Sequence, residues 1–185
     1  MSSQFTRTAT EKIFEGKFFD VERGTFRHED GEEVVRELVS HPGAVGIVAL
    51  DGDQLWMVRQ PREAVGVPDL LEIPAGKLDE EGEDPLDTAK RELAEEIGKQ
   101  AARWEPLGSF FTSPGFASEQ IHLFLATDIS DVDHRPEVEE DERIHVELVP
   151  VSKIDELLAT NQDSKTLVAL ARLKTRLCAE SAQGS

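Results

Sequence analysis

The sequence has a single cysteine, Cys178, and no long apolar run. Without a second cysteine an internal disulfide is excluded, which is compatible with a reducing cytoplasm. The beginning of the chain, MSSQFTRTAT, lacks the apolar segment of a signal peptide, and no stretch reaches the length of a membrane span. These absences predict a soluble protein of the cytoplasm.

Basic residues are also scarce. The 20 Lys and Arg are outnumbered by 38 Asp and Glu, and the net charge is -18 at pH 7. Nucleic acids and anionic membrane surfaces are bound by clusters of Lys and Arg, so neither is an expected partner. An acidic protein can still bind a phosphorylated small molecule where metal ions and a few arginines face it. The expected partner is therefore a small molecule.

Several signatures of other enzyme classes are missing. The five histidines are scattered without the spacing of zinc ligands, and neither Ser nor Cys stands in a nucleophile motif. The sequence contains no Gly-rich nucleotide fingerprint of the dehydrogenase or P-loop type. These absences argue against zinc, covalent and classical nucleotide-fold chemistry.

The most informative stretch is PAGKLDEEGEDPLDTAKRELAEEIGK, residues 74–99, which predicts a loop followed by an amphipathic helix. Asp84 suits the N-cap and Pro85 the first helical position. Gly98 suits the left-handed residue that follows the last turn. Apolar residues recur at a spacing that places them on one face of this helix: Leu86, Ala89, Leu93 and Ile97.

Glu92 and Glu96 lie four residues apart, at the border of that apolar face. Like charges at this spacing repel, and a hard divalent cation such as Mg²⁺ or Mn²⁺ would offset the repulsion because it prefers carboxylate and carbonyl oxygens. Arg91 precedes Glu95 by four residues and can hold that third carboxylate in a paired contact. The alternative is a solvated acidic face, as in most Glu-rich helices. The ordered combination of loop, glycine, Arg-Glu and double Glu favours a metal site.

These residues resemble the Nudix box: Glu83 and residues 91–98, RELAEEIG, match its pattern. Six residues rather than five separate Gly76 from Glu83, and the extra residue falls before the helix. The resemblance implies an α/β (α+β) fold, a Nudix-type α/β/α sandwich with a mixed sheet, and metal-dependent cleavage of a nucleoside diphosphate linked to a second group. It implies Arg91 and Glu95 among the catalytic residues. The implied ligands of Mg²⁺, with Mn²⁺ as the other candidate, are the carbonyl of Ala75 and the carboxylates of Glu92, Glu95 and Glu96.

Four further segments resemble the ADP-ribose pyrophosphatase branch of this family: residues 36–39 ahead of 41–45, residues 58–62 leading to 71–76, residues 113–119, and residues 139–142 before Ile144. Their order implies hydrolysis of ADP-ribose to AMP and ribose 5-phosphate. Pro61 departs from the pattern, since the family usually has an aromatic residue there. One alternative is the same chemistry on another nucleoside diphosphate sugar or on a dinucleotide. A more distant one is a non-catalytic ADP-ribose sensor, which the complete box carboxylates and the lack of a basic appendage disfavour.

The resemblance assigns substrate binding to five residues: Arg36, Arg62, Ser113, Phe116 and Glu119. The two arginines would contact the diphosphate, and the alternative for each is a surface ion pair. The sequence favours the functional interpretation for Arg62. For Arg36 it favours neither interpretation. Ser113 opens a predicted turn, Ser-Pro-Gly. Phe116 is either a wall for the ribose or adenine or a core residue. Glu119 would bind a sugar hydroxyl, and taken alone it would be an ordinary strand-edge charge.

The acidic residues near 137–142 carry the expected general base. Alignment on Ile144 places Glu140 in that role, with Glu142 as a close competitor. The alternative is a solvated loop, which is the usual meaning of a run of like charges.

The chain is predicted to divide into an N-terminal β lobe, residues 1–41, and a Nudix hydrolase domain, residues 42–185. Residues 11–39 predict about three short strands, with turns at Gly24 and at Asp30-Gly31. Such a lobe is too small to be stable alone, so it packs on the main domain or on a second copy, and the resemblance implies a homodimer. Further strands are predicted at 43–50, 54–60, 104–113, 120–129 and 145–151, and helices at 152–159 and 163–179.

Overall fold

The computed structural model describes residues 4–17, 19–80, 82–135 and 143–183, without the side chains of residues 181 and 183. The chain divides into two compact units. The first comprises Met1–Gly43 with Phe111–Gln120, and the second comprises Ala44–Phe110 with Ile121–Ser185.

The first unit contains a three-stranded antiparallel sheet of β1 (Phe5–Glu15), β2 (Asp20–His28) and β3 (Glu33–Ser40), with β2 in the middle. The turn predicted at Asp30-Gly31 is confirmed, and Gly31 has φ 88°. The turn predicted at Gly24 is wrong, because Gly24 lies buried inside β2. A Cβ there would approach the Phe26 ring to 2.8 Å, so this glycine serves close packing rather than chain reversal.

The second unit is built on a seven-stranded mixed sheet. Five strands follow the order β10-β5-β4-β9-β8, while β6 pairs with β5 and β7 pairs with β4. β4 runs parallel to β9 and antiparallel to β5. The seven strands are β4 (Ala44–Asp51), β5 (Gln54–Arg62), β6 (Val67–Glu72), β7 (Ala75–Lys77), β8 (Lys99–Phe111), β9 (Gln120–Asp131) and β10 (His145–Pro150).

The described residues of this unit also form three α-helices: α1 (Pro85–Ile97), α2 (Ile154–Thr160) and α3 (Ser164–Gln183). The predicted ends of α1 are confirmed, since the Asp84 carboxylate accepts a hydrogen bond from the Leu86 N–H at 2.9 Å and Gly98 has φ 67°. Single 3-10 turns lie at Glu63–Val65 and Val151–Lys153. Among the described residues, no helix combines the length and the apolar character needed to cross a membrane.

The strand β4 is buried on both faces. Val45 and Ile47 pack in one apolar cluster with Leu93 of α1, whereas Val48 packs in a second cluster with Leu170 of α3. A strand covered on both sides needs a continuous apolar run, which explains the composition of GAVGIVAL. Helices therefore cover opposite faces of a mixed sheet, and the predicted α/β/α sandwich is confirmed.

Candidate active site

Two carboxylates of α1 reach the backbone where β7 begins. The Ala75 N–H donates to Glu96 Oε2 at 3.0 Å, and Glu96 is only 3% exposed. A Cβ on Gly76 would lie 1.9 Å from Cδ of Glu92, so a glycine is required for this approach. The segment predicted as a loop is instead the short strand β7, in which Ala75 pairs with Gly46 of β4. Pairing with β4 fixes this backbone beside Glu92 and Glu96.

Arg91 lies among the acidic side chains of this region. It contacts Glu95 at 3.0 Å, as the spacing predicts, and also Glu92 at 2.9 Å, Glu83 at 3.1 Å and Asp79 at 3.9 Å. Burial lowers the pKa of Arg91, but the hydrogen bond to Glu83 and the charges of Glu92 and Glu95 outweigh it and raise the pKa. The same hydrogen bond from Arg91 is the main reason that the pKa of Glu83 is lowered. One cation thus faces an excess of carboxylates.

The donor types in this region are those that a hard divalent cation prefers. Glu92, Glu95 and Glu96 share the last turns of α1, and carboxylate oxygen is the ligand that Mg²⁺ and Mn²⁺ prefer. Within the described ranges, no three His, Cys, Asp or Glu side chains form a group that could hold a metal ion as they stand. Arg91 already occupies oxygens of Glu92 and Glu95, so an entering cation would compete with its guanidinium.

Arg135 holds the end of α1, a contact that the sequence did not predict. Its guanidinium donates to the carbonyl oxygens of Glu95 at 3.1 Å and Glu96 at 2.6 Å. These carbonyls lie in the last turn of the helix, where a positive charge is favourable. Arg135 therefore steadies the turn from which two of the proposed ligands project.

Arg62 lies in a second cluster. Its Nε and Nη2 donate to the two carboxylate oxygens of Glu72, each at 2.7 Å. The Glu72 side chain is 0% exposed and also pairs with Lys165, which contacts Asp163 at 3.0 Å. Burial alone raises the pKa of Glu72, but the hydrogen bond from Arg62 and the charge of Lys165 outweigh it and lower the pKa. Glu72 is thus a buried, ionised carboxylate between two cations.

Sequence reasoning missed the contribution of Glu72 and Lys165. The available signal was Glu72 itself, an acid within the apolar stretch LLEIP, because a buried charge requires partners. Its partners lie 10 and 93 residues away, so local spacing does not identify them.

Three of the predicted substrate residues lie between β8 and β9, in the first unit. The Ser113 carbonyl accepts from the N–H of Phe116 at 3.1 Å and of Ala117 at 2.8 Å, which confirms the predicted turn. Phe116 is 57% exposed, so the interpretation as a core residue is excluded. Glu119 accepts a hydrogen bond from the Thr112 hydroxyl at 2.7 Å.

Arg36 lies on β3 of the first unit, and its Nη1 donates to the carbonyl of Val35 at 2.9 Å. Its guanidinium forms no ion pair with any residue that the structure describes. The alternative interpretation of Arg36 as a surface ion-pair residue is therefore not supported. The base candidates Glu140 and Glu142 lie outside the described residues. Arg62 and all the residues proposed as metal ligands belong to the second unit.

Comparisons with known proteins give a family match and several similar relatives. The NUDIX domain family matches residues 40–171. An ADP-ribose pyrophosphatase of Bacillus subtilis (strain 168) is 39% identical over 171 residues, covering 91% of both chains. A methanol dehydrogenase activator of Bacillus methanolicus is 40% identical over 171 residues, covering 89% of this chain and 90% of the relative.

A crystal structure described as an ADP compounds hydrolase superposes with a TM-score of 0.82 at 23% identity. The superposition covers 97% of this chain and 98% of that one, and at this identity it shows the fold. With the family match over most of the sequence and relatives near 40% identity, the chain belongs to the Nudix hydrolase family.

Proposed function

We propose that the protein hydrolyses the pyrophosphate bond of ADP-ribose to give AMP and ribose 5-phosphate, with Mg²⁺ or Mn²⁺ as cofactor. The observation that carries this proposal is the approach of Glu92 and Glu96 to the backbone of Ala75 and Gly76, beside Arg91. The relative from Bacillus subtilis is named for this activity. All box carboxylates are present in this chain, which favours an enzyme over a sensor.

The metal-binding groups would all come from β7 and α1. Bound metal ions would polarise phosphoryl oxygens and lower the pKa of water. Arg91 holds Glu92 and Glu95 in place through its hydrogen bonds, and Arg135 holds the backbone of the last turn. The proposed ligands are the Ala75 carbonyl and the carboxylates of Glu92, Glu95 and Glu96.

Arginines would bind the diphosphate. The side chain of Arg62 is 41% exposed although it pairs with Glu72, and Arg36, an exposed residue of β3, is the second candidate. Planar guanidinium groups match phosphate oxygens and take up charge that develops during cleavage. The exposed ring of Phe116 would stack on the ribose or adenine, and Glu119 would bind a sugar hydroxyl. Ser113 supports this segment through its turn.

A substrate panel tests the reaction. ADP-ribose, other nucleoside diphosphate sugars and a dinucleotide are compared with Mg²⁺ and with Mn²⁺, and the products are separated. We expect the highest kcat/KM for ADP-ribose, with AMP and ribose 5-phosphate as products. Faster turnover of another compound assigns the enzyme to that substrate, and binding of ADP-ribose without products supports the sensor.

The general base is proposed to be Glu140 on the basis of the resemblance. Glu140→Gln should lower kcat by about 10²–10⁴-fold, the usual contribution of a positioned base. KM should change little because the lost interaction belongs to the transition state. Glu142→Gln is the matched control, with an expected loss of less than about tenfold. A larger loss in Glu142→Gln exchanges the two assignments, and full activity in both removes this segment from the chemistry.

A homodimer joined through the N-terminal strands is also proposed. Every residue of β1 is exposed. A three-stranded sheet is too small to form its own core. Large apolar side chains that stay exposed in this number are available to an interface. Five apolar side chains of this region are 45% to 61% exposed: Phe5, Ile13, Phe14, Phe19 and Val35.

Light scattering at micromolar concentration should give the dimer mass, and a monomer mass contradicts the proposal. In the proposed dimer Arg36 acts on the substrate of the other subunit. Mixing Arg36→Ala subunits with Glu96→Gln subunits should therefore restore one working site in each hybrid dimer. Mixtures that remain as inactive as either variant place Arg36 in its own subunit's site, and full activity of Arg36→Ala alone places it outside both sites.

A further inference from the structure

Glu72 holds Arg62 by one edge of its guanidinium. Nε and Nη2 donate in parallel to Oε1 and Oε2, which fixes both the position and the plane of the group. Nη1, on the other edge, has no hydrogen-bond partner among the residues that the structure describes. The Arg62 side chain as a whole is 41% exposed. One edge of the guanidinium is thus fixed by Glu72, and Nη1 keeps its donors unused among the described residues.

Lys165, in the first turn of α3, fixes the position of the Glu72 carboxylate. Its ammonium pairs with the carboxylate oxygen that also accepts from Nη2 of Arg62, and it contacts Asp163 at 3.0 Å. Two cations therefore meet two carboxylates in this cluster. Removing one member would leave a buried charge without its partner, which is far costlier than losing a surface ion pair.

Residues 161–166, at and just before the beginning of α3, also hold the backbone on both sides of Glu72. The Ile73 N–H donates to the Thr166 hydroxyl at 2.9 Å. The Asn161 amide donates to the Leu71 carbonyl at 2.7 Å. The position of Glu72 is therefore set by its side chain and by its two neighbours, all through residues 161–166.

We propose that Glu72 and Lys165 are positioning residues for Arg62: Glu72 fixes one edge of the guanidinium, Lys165 fixes Glu72, and Nη1 binds the substrate diphosphate. This inference rests on the proposed function, and it makes α3 part of the site. An arginine held before the substrate arrives has already lost its rotamer freedom, so less ordering entropy opposes binding. It also presents its charge in one orientation, and misplacement by about 1 Å can cost a hundredfold in rate.

A double-mutant cycle distinguishes positioning from simple stabilisation of the fold. Glu72→Gln keeps the shape and removes the charge, and Arg62→Ala removes the group that is positioned. Glu72→Gln should lower kcat/KM by about 10–100-fold when Arg62 is present. It should lower kcat/KM by less than about threefold when Arg62 is already alanine, because the two residues act as a unit. Equal losses in both backgrounds, measured well below the melting temperatures, overturn the proposal.

Substitutions of Lys165 give a second, independent test of the positioning role. Lys165→Met should lower kcat/KM by about tenfold, and Lys165→Arg, which restores the charge, should recover it to within about threefold. Lys174→Met is the matched control, since Lys174 lies on the same helix and pairs with the exposed Asp155. It should leave kcat/KM unchanged. If Glu72→Gln does not fold, Lys165→Met replaces it in the cycle with Arg62→Ala.

The same double-mutant cycle can be measured without turnover, by calorimetry of the binding of the α,β-methylene analogue of ADP-ribose to each variant. The same non-additive losses are expected in the dissociation constant. A wild type that neither binds this analogue nor hydrolyses ADP-ribose counts against the proposed function and against the inference built on it. A wild type that does both, with additive losses at Glu72 and Arg62, overturns only the positioning role.

Discussion

The cluster around Arg91 and the cluster around Arg62 both join arginine to glutamate, but they differ in charge balance and in burial. Around Arg62, two cations meet two carboxylates, and Glu72 is fully buried. Within the part of the chain that the structure describes, the guanidinium of Arg91 contacts four carboxylates, and the side chain of Glu95 is 26% exposed. The four are Asp79, Glu83, Glu92 and Glu95.

This difference separates two uses of the same residue types. An unbalanced group of carboxylates repels internally and gains stability when a cation is added, so it suits a metal site. A balanced, buried group gains nothing from a further ion and loses much when a member is removed, so it suits the holding of a fixed geometry. Burial and the ratio of charges distinguish the two clusters.

The largest expected effect tests the assignment of the acidic cluster to metal. Glu96→Gln should lower kcat at saturating Mg²⁺ by about 10²–10³-fold or more, because charge stabilisation by a bound metal is worth several kcal/mol. The fold should remain intact, since the glutamine oxygen still accepts from the Ala75 N–H. Activity assays and melting curves without metal check both parts. Wild-type kcat in this variant would contradict the metal assignment.

An intermediate effect is expected for Arg91→Met. Removing the cation leaves its carboxylates repelling one another, at a cost of about 1–2 kcal/mol. Without metal the melting temperature should fall by about 2–8 °C. Mg²⁺ should then raise the melting temperature more than it does in the wild type, because the added ion relieves a larger repulsion.

The control for Arg91→Met is Arg176→Met. Arg176 also contacts two carboxylates, those of Glu105 and Glu180, but on the surface. Its melting temperature should change little, and its response to Mg²⁺ should equal that of the wild type. If the Mg²⁺ response of Arg91→Met is also unchanged, the two clusters do not differ in the way described.

The smallest effect concerns pH and the balanced cluster. The pKa of Glu72 is lowered in the folded protein relative to an unfolded value of about 4.3. Its carboxylate therefore stabilises the fold above that pH, and this contribution is lost as the pH falls through the folded pKa. The difference in the free energy of unfolding between wild type and Glu72→Gln should shrink from about pH 5 to pH 3 in urea titrations.

Glu105→Gln is the exposed counterpart for this experiment. Arg176 lowers the pKa of Glu105 through a hydrogen bond, so the sign of the pH effect is the same. About 1 M salt should remove the Glu105 difference by screening and leave the Glu72 difference in place. A Glu72 difference that is independent of pH, or that vanishes in salt, would show that its ionisation does not support the fold.

The helix α1 was predictable because its signals are local. Asp84, Pro85 and Gly98 mark its ends within the sequence itself, and the contact between Arg91 and Glu95 follows from helical spacing. The helices after residue 150 were predicted with similar success, although α3 extends further than expected. Sequence patterns predict best those elements whose start, end and contacts depend on residues close together in the chain.

The features that were missed depend on distant partners. β7 has three residues and is a strand because β4 lies beside it, and Glu72 and Lys165 are 93 residues apart. Gly24 was misread because a glycine marks either a turn or a close contact, and composition does not distinguish the two. Gly76 is a glycine of close contact rather than of a turn, and only the surrounding motif indicated this role.

The contacts between residues 71–73 and residues 161–166 also set the order in which the site is completed during synthesis. The bonds from Ile73 to Thr166 and from Asn161 to Leu71 join residues 93 and 90 positions apart. A ribosome adds about 5–20 residues per second from the N-terminus, so α1 and β7 exist well before α3. Contacts over such separations also form slowly. A nascent chain that ends before Asn161 therefore carries the glutamates of α1 but has no anchored Glu72, and its site is completed only when α3 has been made.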